Sequence, residues 1–386
     1  MPEEILLSVP ASTRLAENAV RSIRITPVAF QDPPLLNTVG VHEPLALRAI
    51  VQVTTESGVR GLGETYGDSA HLQRLRAAAD AVLGCDVFAS NELRARVERG
   101  VAGDGVQGGH GMSGMVTGTS TGDRVLSPFD VAALDIRGKV LGVPVSELLG
   151  GRVRDAVPFS GYLFYKWAGH PDATSDEWGE ALTPDGIVAQ ARNIVDGYGF
   201  TALKLKGGVL PPDQEIAAVL ALREAFPDHP LRIDPNGAWT VETSLRVADA
   251  LKDVLEYLED PTPGLEGMAE VRRGTDLPLA TNMCVIAMEH LPPAIAQDAV
   301  QVVLSDHHLW GGLRKSALLG GITDGVLSFV DGSVAVPTTP GLGVTLDRDR
   351  LGELHELYLS CGVRRREDTV YMRSIEPGFS PRTASW

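Results

Sequence analysis

A lysine, three acids and an asparagine recur along the middle of this 386-residue chain at nearly even intervals. Lys206 is followed by Asp234, Glu259, Asn282 and Asp306, at steps of 28, 25, 23 and 24 residues. Oxygen donors of this kind suit a hard divalent cation such as Mg2+. An amine beside a bound cation suits removal of a proton from a weak carbon acid. Each group closes a short apolar run: FTALKLK, HPLRIDPN, VLEYLED, LPLATN and VQVVLSD. The step is about one strand-plus-helix unit, so successive parallel strands place all five groups on one rim of a barrel. The rim at the C-terminal strand ends is where such enzymes keep their chemistry. Lys204 and Lys206 project to the same side of their strand. A lone strand-end acid is ordinarily half of an ion pair, but the set at this periodicity points to one shared site.

The elements that position these groups read as an α/β barrel of the modified TIM type behind an N-terminal α+β domain. Residues 20–66 alternate apolar and polar over three strand-like runs, with the loop QDPPLLNTVGVHEP after the first. Helical patterns follow over 71–83 and 91–99. Residues 100–123 are rich in Gly, Ser and Thr and read as an exposed loop. Ser127-Pro128 predicts a helix start, as an N-cap with proline at the first helical position. Strands and helices alternate from about residue 157, and six strands of the strand-helix type are legible, beginning with VPFSGYLFY. Asp331-Gly332 between apolar runs predicts a hairpin. The expected units are a capping domain over 1–152, an incomplete barrel over 153–322, and a C-terminal hairpin, helix and tail over 323–386. A closed barrel needs eight strands, and an open six-stranded parallel sheet exposes its edges.

Composition is that of a globular protein, 44% apolar and 22% charged, with a net charge of −16. Such acidity argues against nucleic acid and anionic membranes as partners. The apolar run at the N-terminus is too short for a secretory signal, and no stretch is long enough to span a bilayer. Cys85, Cys284 and Cys361 are scattered and match no disulfide framework, which places the chain in the cytoplasm.

Several segments resemble the enolase superfamily in its glucarate dehydratase branch. They are AALDIRGKVLGVPVSELLGG (132–151), KLKGG (204–208), IDPNGAW (233–239), LEDP (258–261), ATNM (280–283), LSDHHLWGG (304–312) and PGLGVTLD (340–347). Singly each is weak, but their order and spacing together are specific. The resemblance implies Mg2+-dependent dehydration of an acid sugar, a glucarate- or idarate-like diacid, through proton abstraction next to a carboxylate. It implies Lys206 as the base, with Lys204 holding the substrate carboxylate. Asp234, Glu259 and Asn282 would bind the metal, with Glu266 able to share or exchange the role of Glu259. Asn236, Asn282, Tyr162, Phe164, Asn37 and His42 resemble substrate contacts. Arg366 resembles an arginine that grips the distal carboxylate of a diacid. The partners implied are a small acid sugar and further copies of the chain in a homo-oligomer.

One motif of the branch is missing. Its seventh strand ends in HSN, whose histidine serves the opposite face of the substrate. No HSN occurs here, nor does the eighth-strand segment. Asp306 resembles the acid that orients that histidine and so lacks its partner. His307 and His308 belong to the branch's own DHH pattern and are not read as substitutes. The gap falls near Ile322-Thr323. Either the chain is shortened there, or residues of a longer chain are omitted at that junction. Alternative readings are another acid-sugar dehydratase or epimerase of the superfamily, and a catalytically impaired acid-binding remnant.

Overall fold

The computed structural model describes residues 4–11, 13, 15–102, 118–313 and 329–386. Alternating burial along the N-terminal strands makes one antiparallel sheet. Its strands are β1 (Ile5–Ser8), β2 (Val20–Gln31), β5 (Leu45–Thr55) and β6 (Arg60–Tyr66), in the order β1-β2-β5-β6. A small pair, β3 (Leu36–Asn37) and β4 (Gly40–Val41), lies in the loop between β2 and β5. Ala49, Val51 and Val53 of β5 point into a core shared with helices α1 (Ser69–Val82), α2 (Ser90–Gly100) and α3 (Gly118–Leu141).

Helix α3 corrects an expectation. It does not begin at Ser127 but runs through Pro128 from Gly118. Residues 118–123, expected as loop, are therefore helical, and 103–117 of that stretch lie outside the described residues. Proline inside a helix forfeits a backbone hydrogen bond. Here the helix backbone lies directly on β6: a Cβ on Gly63 would come 2.1 Å from the Pro128 carbonyl oxygen, and one on Gly61 2.1 Å from that of Ala132. Two glycines on the strand thus admit an approach that any side chain would block, and the packing so gained holds the helix through its proline.

After Gly142 (φ 72°) and the short α4 (Val145–Leu148), the chain enters the barrel. The run VPFSGYLFY divides into β7 (Ala156–Pro158) and β8 (Ser160–Phe164). Then come α5 (Pro184–Tyr198), β9 (Ala202–Lys206), α6 (Pro212–Ala225), β10 (Leu231–Asp234), α7 (Val241–Leu251) and β11 (Leu255–Glu259). They are followed by α8 (Gly264–Arg273), β12 (Leu279–Thr281), α9 (Leu291–Ala296) and β13 (Val302–Val303). Strands β8 to β13 form one sheet in sequence order, every neighbour parallel. Leu163, Leu205, Ile233, Leu258 and Leu279 are fully or nearly fully buried along it, as a sheet covered on both faces requires.

Residues 314–328, with the Ile322–Thr323 junction, lie outside the described residues. The expected hairpin follows as β14 (Phe329–Val330) and β15 (Ser333–Ala335). Asp331 (φ 48°) and Gly332 (φ 68°) both adopt the left-handed conformation that a two-residue hairpin loop needs. Strand β15 pairs antiparallel with β7. Helix α10 (Arg348–Cys361) packs Tyr358 into the capping core, and α11 (Asp368–Ile375) seats Met372 against Gly40. The last residues run along the loop after β10, where Ala384 N–H donates to Gly237 O at 2.9 Å and Ser385 N–H to Ala238 O at 2.8 Å. No described helix is long and apolar enough to cross a membrane.

His71 of α1 links stability of the capping domain to pH. Its Nε2 lies 3.0 Å from Thr65 Oγ1, and its ring meets Tyr66 edge-on. Burial, then the charges of His308 and Arg124, push its pKa from 6.5 down to about 3. The folded state therefore refuses a proton that the unfolded chain accepts. Stability is lost as pH falls from about 6.5 toward 3, at up to about 1.4 kcal/mol per pH unit. His71→Gln is expected to flatten this dependence in thermal unfolding between pH 7 and 4.5. Equal slopes for the two proteins would show that His71 takes up its proton while folded.

Candidate active site

Parallel pairing brings the polar strand ends together. Asp234 stands opposite Lys206 across β9 and β10, and Tyr162 opposite Lys204 across β8 and β9. Asp234 Oδ2 accepts from Lys206 Nζ at 2.8 Å and from the Tyr162 hydroxyl at 3.1 Å, with Lys204 Nζ at 3.2 Å. Lys204 Nζ also donates to Glu259 Oε1 at 2.5 Å and lies 4.8 Å from the centre of the Tyr162 ring. Asp234 Oδ1 accepts the Asn236 N–H at 3.0 Å, and Asn236 sits in the left-handed region at φ 54°. Two ammonium groups thus meet two carboxylates, with Glu259 0% and Asp234 2% exposed.

Burial of so many charges moves their titration. Burial raises the Asp234 carboxyl, but Lys206 and then Lys204 reverse this and hold it well below the usual carboxylate range. Glu259 moves up, through burial and the charge of Asp234, against the pull of Lys204. Burial alone would lower Lys204; Asp234 and Glu259 outweigh it and raise its pKa.

Two buried oxygens at these strand ends have no hydrogen-bond partner among the described residues: Glu259 Oε2 and Asn282 Oδ1. Such atoms are costly to leave unpaired. Both are hard donors at neighbouring strand ends, and with Asp234 they make the carboxylate and carbonyl set that Mg2+ takes. The residues present therefore fit a divalent cation. Glu266, by contrast, sits exposed in the first turn of α8. Of the two glutamates left open by the sequence, Glu259 is the one inside the cluster.

The remaining expected residues are distributed around it. Phe164 packs on Tyr162 at 4.6 Å between ring centroids, and His42 lies edge-on to Phe164 at 6.2 Å. His42 Nδ1 is 3.1 Å from Asp32 Oδ2. Asn37 is buried and its Oδ1 accepts the Val39 N–H at 2.8 Å, closing the β3–β4 turn. Arg366 does not present a free fork to a ligand. Its Nη1 donates to Asp32 Oδ2 at 2.6 Å and its Nε to Asp368 Oδ1 at 2.9 Å, and its side chain is 7% exposed. Those carboxylates use the planar geometry that was expected to grip a substrate. In this structure Arg366 joins the C-terminal tail to the loop that carries His42.

Asp306 also differs from expectation, because it has a partner. Its Oδ1 accepts the His308 backbone N–H at 2.9 Å and lies 3.0 Å from His308 Nδ1. Burial raises its carboxyl, but His308 overrides this and brings the pKa down to about 2. His308 packs on Tyr66 of the capping domain at 5.5 Å, facing β6. Ligand atoms of Asp306, His307 and His308 lie within 4.8 Å of one another. Asp260, the last residue of the run VLEYLED, is a further strand-end acid. It is 2% exposed and binds both Thr281 and Asn282 of the next strand end.

Lys204→Met should leave Asp234 and Glu259 short of one positive charge. Breaking a buried charge set in this way costs about 3–5 kcal/mol, less whatever proton uptake by Glu259 offsets. Urea unfolding at pH 7 should show the loss, and millimolar Mg2+ should recover part of it. An unchanged midpoint would mean that Lys204 does not compensate these acids.

Comparison with known proteins follows the same lines. Residues 21–150 match the mandelate racemase/muconate lactonizing enzyme N-terminal domain, and residues 186–319 the enolase C-terminal domain-like family. A probable glucarate dehydratase of Streptomyces coelicolor is 45% identical, over 95% of this chain and 99% of its own. That alignment runs to 425 positions while spanning 95% of 386 residues, so roughly 60 positions of the relative have no counterpart here, about two strand-helix units. A crystal structure of an enolase from Thermobispora bispora, complexed with magnesium and formate, superposes with a TM-score of 0.91 at 51% identity, covering 95% of this chain and 100% of that one. One from Mycobacterium smegmatis, complexed with tartrate, gives 0.89 at 54%, covering 97% and 100%. With both domain families matched and the lysines, acids and asparagine gathered at their strand ends, the chain belongs to the enolase superfamily and is glucarate dehydratase-like.

Proposed function

We propose that the protein is a Mg2+-dependent dehydratase that converts a glucarate- or idarate-like acid sugar to a keto-deoxy acid. It is a carbon–oxygen lyase of its superfamily. The observation that carries this reading is the buried junction of Lys204, Lys206, Asp234 and Glu259, together with the Glu259 and Asn282 oxygens that no described residue satisfies. When bound by Asp234, Glu259 and Asn282, a divalent cation supplies positive charge to the substrate carboxylate while the neighbouring carbon loses its proton.

The chain's own residues do the rest. Lys206, here an ammonium donating to Asp234, acts as base once its own proton has passed to solvent, and its Nζ then accepts the proton from the carbon next to the carboxylate. Lys204 holds that carboxylate in place with its ammonium charge. Asn236 hydrogen-bonds a substrate hydroxyl. The C–H electron pair becomes the carbon–carbon π bond, the C–O bond on the adjacent carbon breaks, and its hydroxyl leaves as water with a proton taken from solvent. The resulting enol becomes the keto acid. No HSN histidine occurs in the sequence and His308 binds Asp306 against the capping domain, so in this reading the step draws its base from the Lys206 side. Tyr162 and Phe164 line that side.

A second reading concerns the substrate. Because Asp32 and Asp368 occupy the Arg366 fork, Arg366 is not held open for a distal carboxylate. A monoacid sugar is then accommodated as well as a diacid.

The test uses protein whose intact mass is verified as 41.1 kDa. A panel of mono- and diacid sugars is screened for Mg2+-dependent keto-acid formation. Slow turnover of a single C5 epimer is expected, lost with EDTA and restored by Mg2+. Lys206→Ala should lower it by about 10²–10⁴-fold, the usual weight of a proton-transfer group. Efficient dehydration of both epimers would overturn the one-sided mechanism. Ligand-induced thermal stabilisation without any turnover would reduce the protein to an acid-binding remnant.

A further inference from the structure

We propose that Asp260 is a positioning residue that aims the Asn282 side chain at the cation site; this rests on the reading of Asp234, Glu259 and Asn282 as ligands. Asp260 directly follows Glu259 and is the last residue before the chain turns at Pro261. A strand residue here would point its side chain away from its neighbour's. Instead Asp260 adopts φ 38°, in the left-handed region that non-glycine residues rarely enter. That turn swings its carboxylate sideways, onto the end of β12. Oδ1 accepts from the Thr281 hydroxyl at 2.5 Å, and Oδ2 from the Asn282 backbone N–H at 3.0 Å.

The connection continues in both directions. Thr281 Oγ1, having donated its proton to Asp260, accepts the N–H groups of Met283 and Cys284, each at 3.0 Å. The turn that carries Asn282 is therefore pinned at residues 281, 282, 283 and 284 through one carboxylate. On the other side, the Asp260 carbonyl accepts the Gly237 N–H at 2.7 Å, next to Asn236. One residue thereby ties the ends of β10, β11 and β12 together. Asn282 Oδ1, at the end of this chain of bonds, is buried and unpartnered among the described residues. A backbone strained at Asp260 and bonds spent on one turn make sense if the direction of that oxygen matters.

The experiment measures Mg2+ affinity by titration calorimetry, independent of turnover, on the unmodified protein and on Asp260→Ala, Asn282→Ala and the double variant. Asp260→Ala should weaken binding by about 10–100-fold, as loss of a group that orients a metal ligand does. In the Asn282→Ala background the same change should alter affinity by less than about two-fold, because nothing remains to be aimed. Undiminished Mg2+ affinity in Asp260→Ala with a lowered melting temperature would overturn the proposal and leave a structural role. Losses that multiply in the double variant would overturn it too. If Asp260→Ala fails to fold, the isosteric Asp260→Asn takes its place with the same expected pattern. Absence of Mg2+ binding by the unmodified protein, or full affinity in Asn282→Ala, would instead break the reading on which the proposal rests, and the proposal with it.

Discussion

Everything at this site depends on charge compensation in a buried place. Asp234 and Glu259 are almost without solvent, and two lysines face them from one strand. Isolated charges so deep would each cost several kcal/mol. Held as a group, they make one another affordable, and they fix the strands that carry them. The same requirement leaves the site receptive. Glu259 and Asn282 keep oxygens that no described group satisfies, and a hard cation completes a set that ammonium groups complete only in part. Lysines and acids at this site therefore share one electrostatic balance, and moving any one of them alters the rest.

The surrounding architecture serves to hold that balance in register. Parallel pairing of β8 to β12 sets which residue stands beside which. The capping loop reaches the site through His42 and Phe164, and Arg366 fastens that loop to the C-terminal tail through Asp32 and Asp368. The tail itself lies along residues 237–240, next to Asn236. Both walls of the site are thus tied to a segment more than a hundred residues away in sequence. A substrate enclosed there meets side chains whose orientation is set by contacts far from the chemistry, which is how pre-organised sites keep their geometry.

What was legible in the sequence follows from period and polarity. Lys206, Asp234, Glu259 and Asn282 could be found because each ends an apolar run and the runs repeat with the strand-helix unit. The Asp331-Gly332 hairpin could be found because its turn demands those residue types. The start of α3 could not, because what carries it through Pro128 is a pair of glycines on β6, over sixty residues earlier. Arg366 could not be placed, because a guanidinium fits a protein carboxylate as well as a ligand's. Asp260 stood in view at a strand end, yet its role comes from one left-handed φ that turns it toward β12, and no letter pattern announces that turn.

The missing histidine segment bears on the chemistry through Asp306. In this chain that acid is bound to His308, which packs on Tyr66 and faces the capping domain. The carboxylate–imidazole pair is thereby committed to the contact between cap and barrel, and its charge is spent where no proton needs to move. On the lysine side, Lys204, Lys206 and Tyr162 all reach Asp234, and Lys204 reaches Glu259. Although roughly 60 positions of its relative have no counterpart in this chain, the strand ends of β9 to β12 keep their lysines, acids and asparagine together.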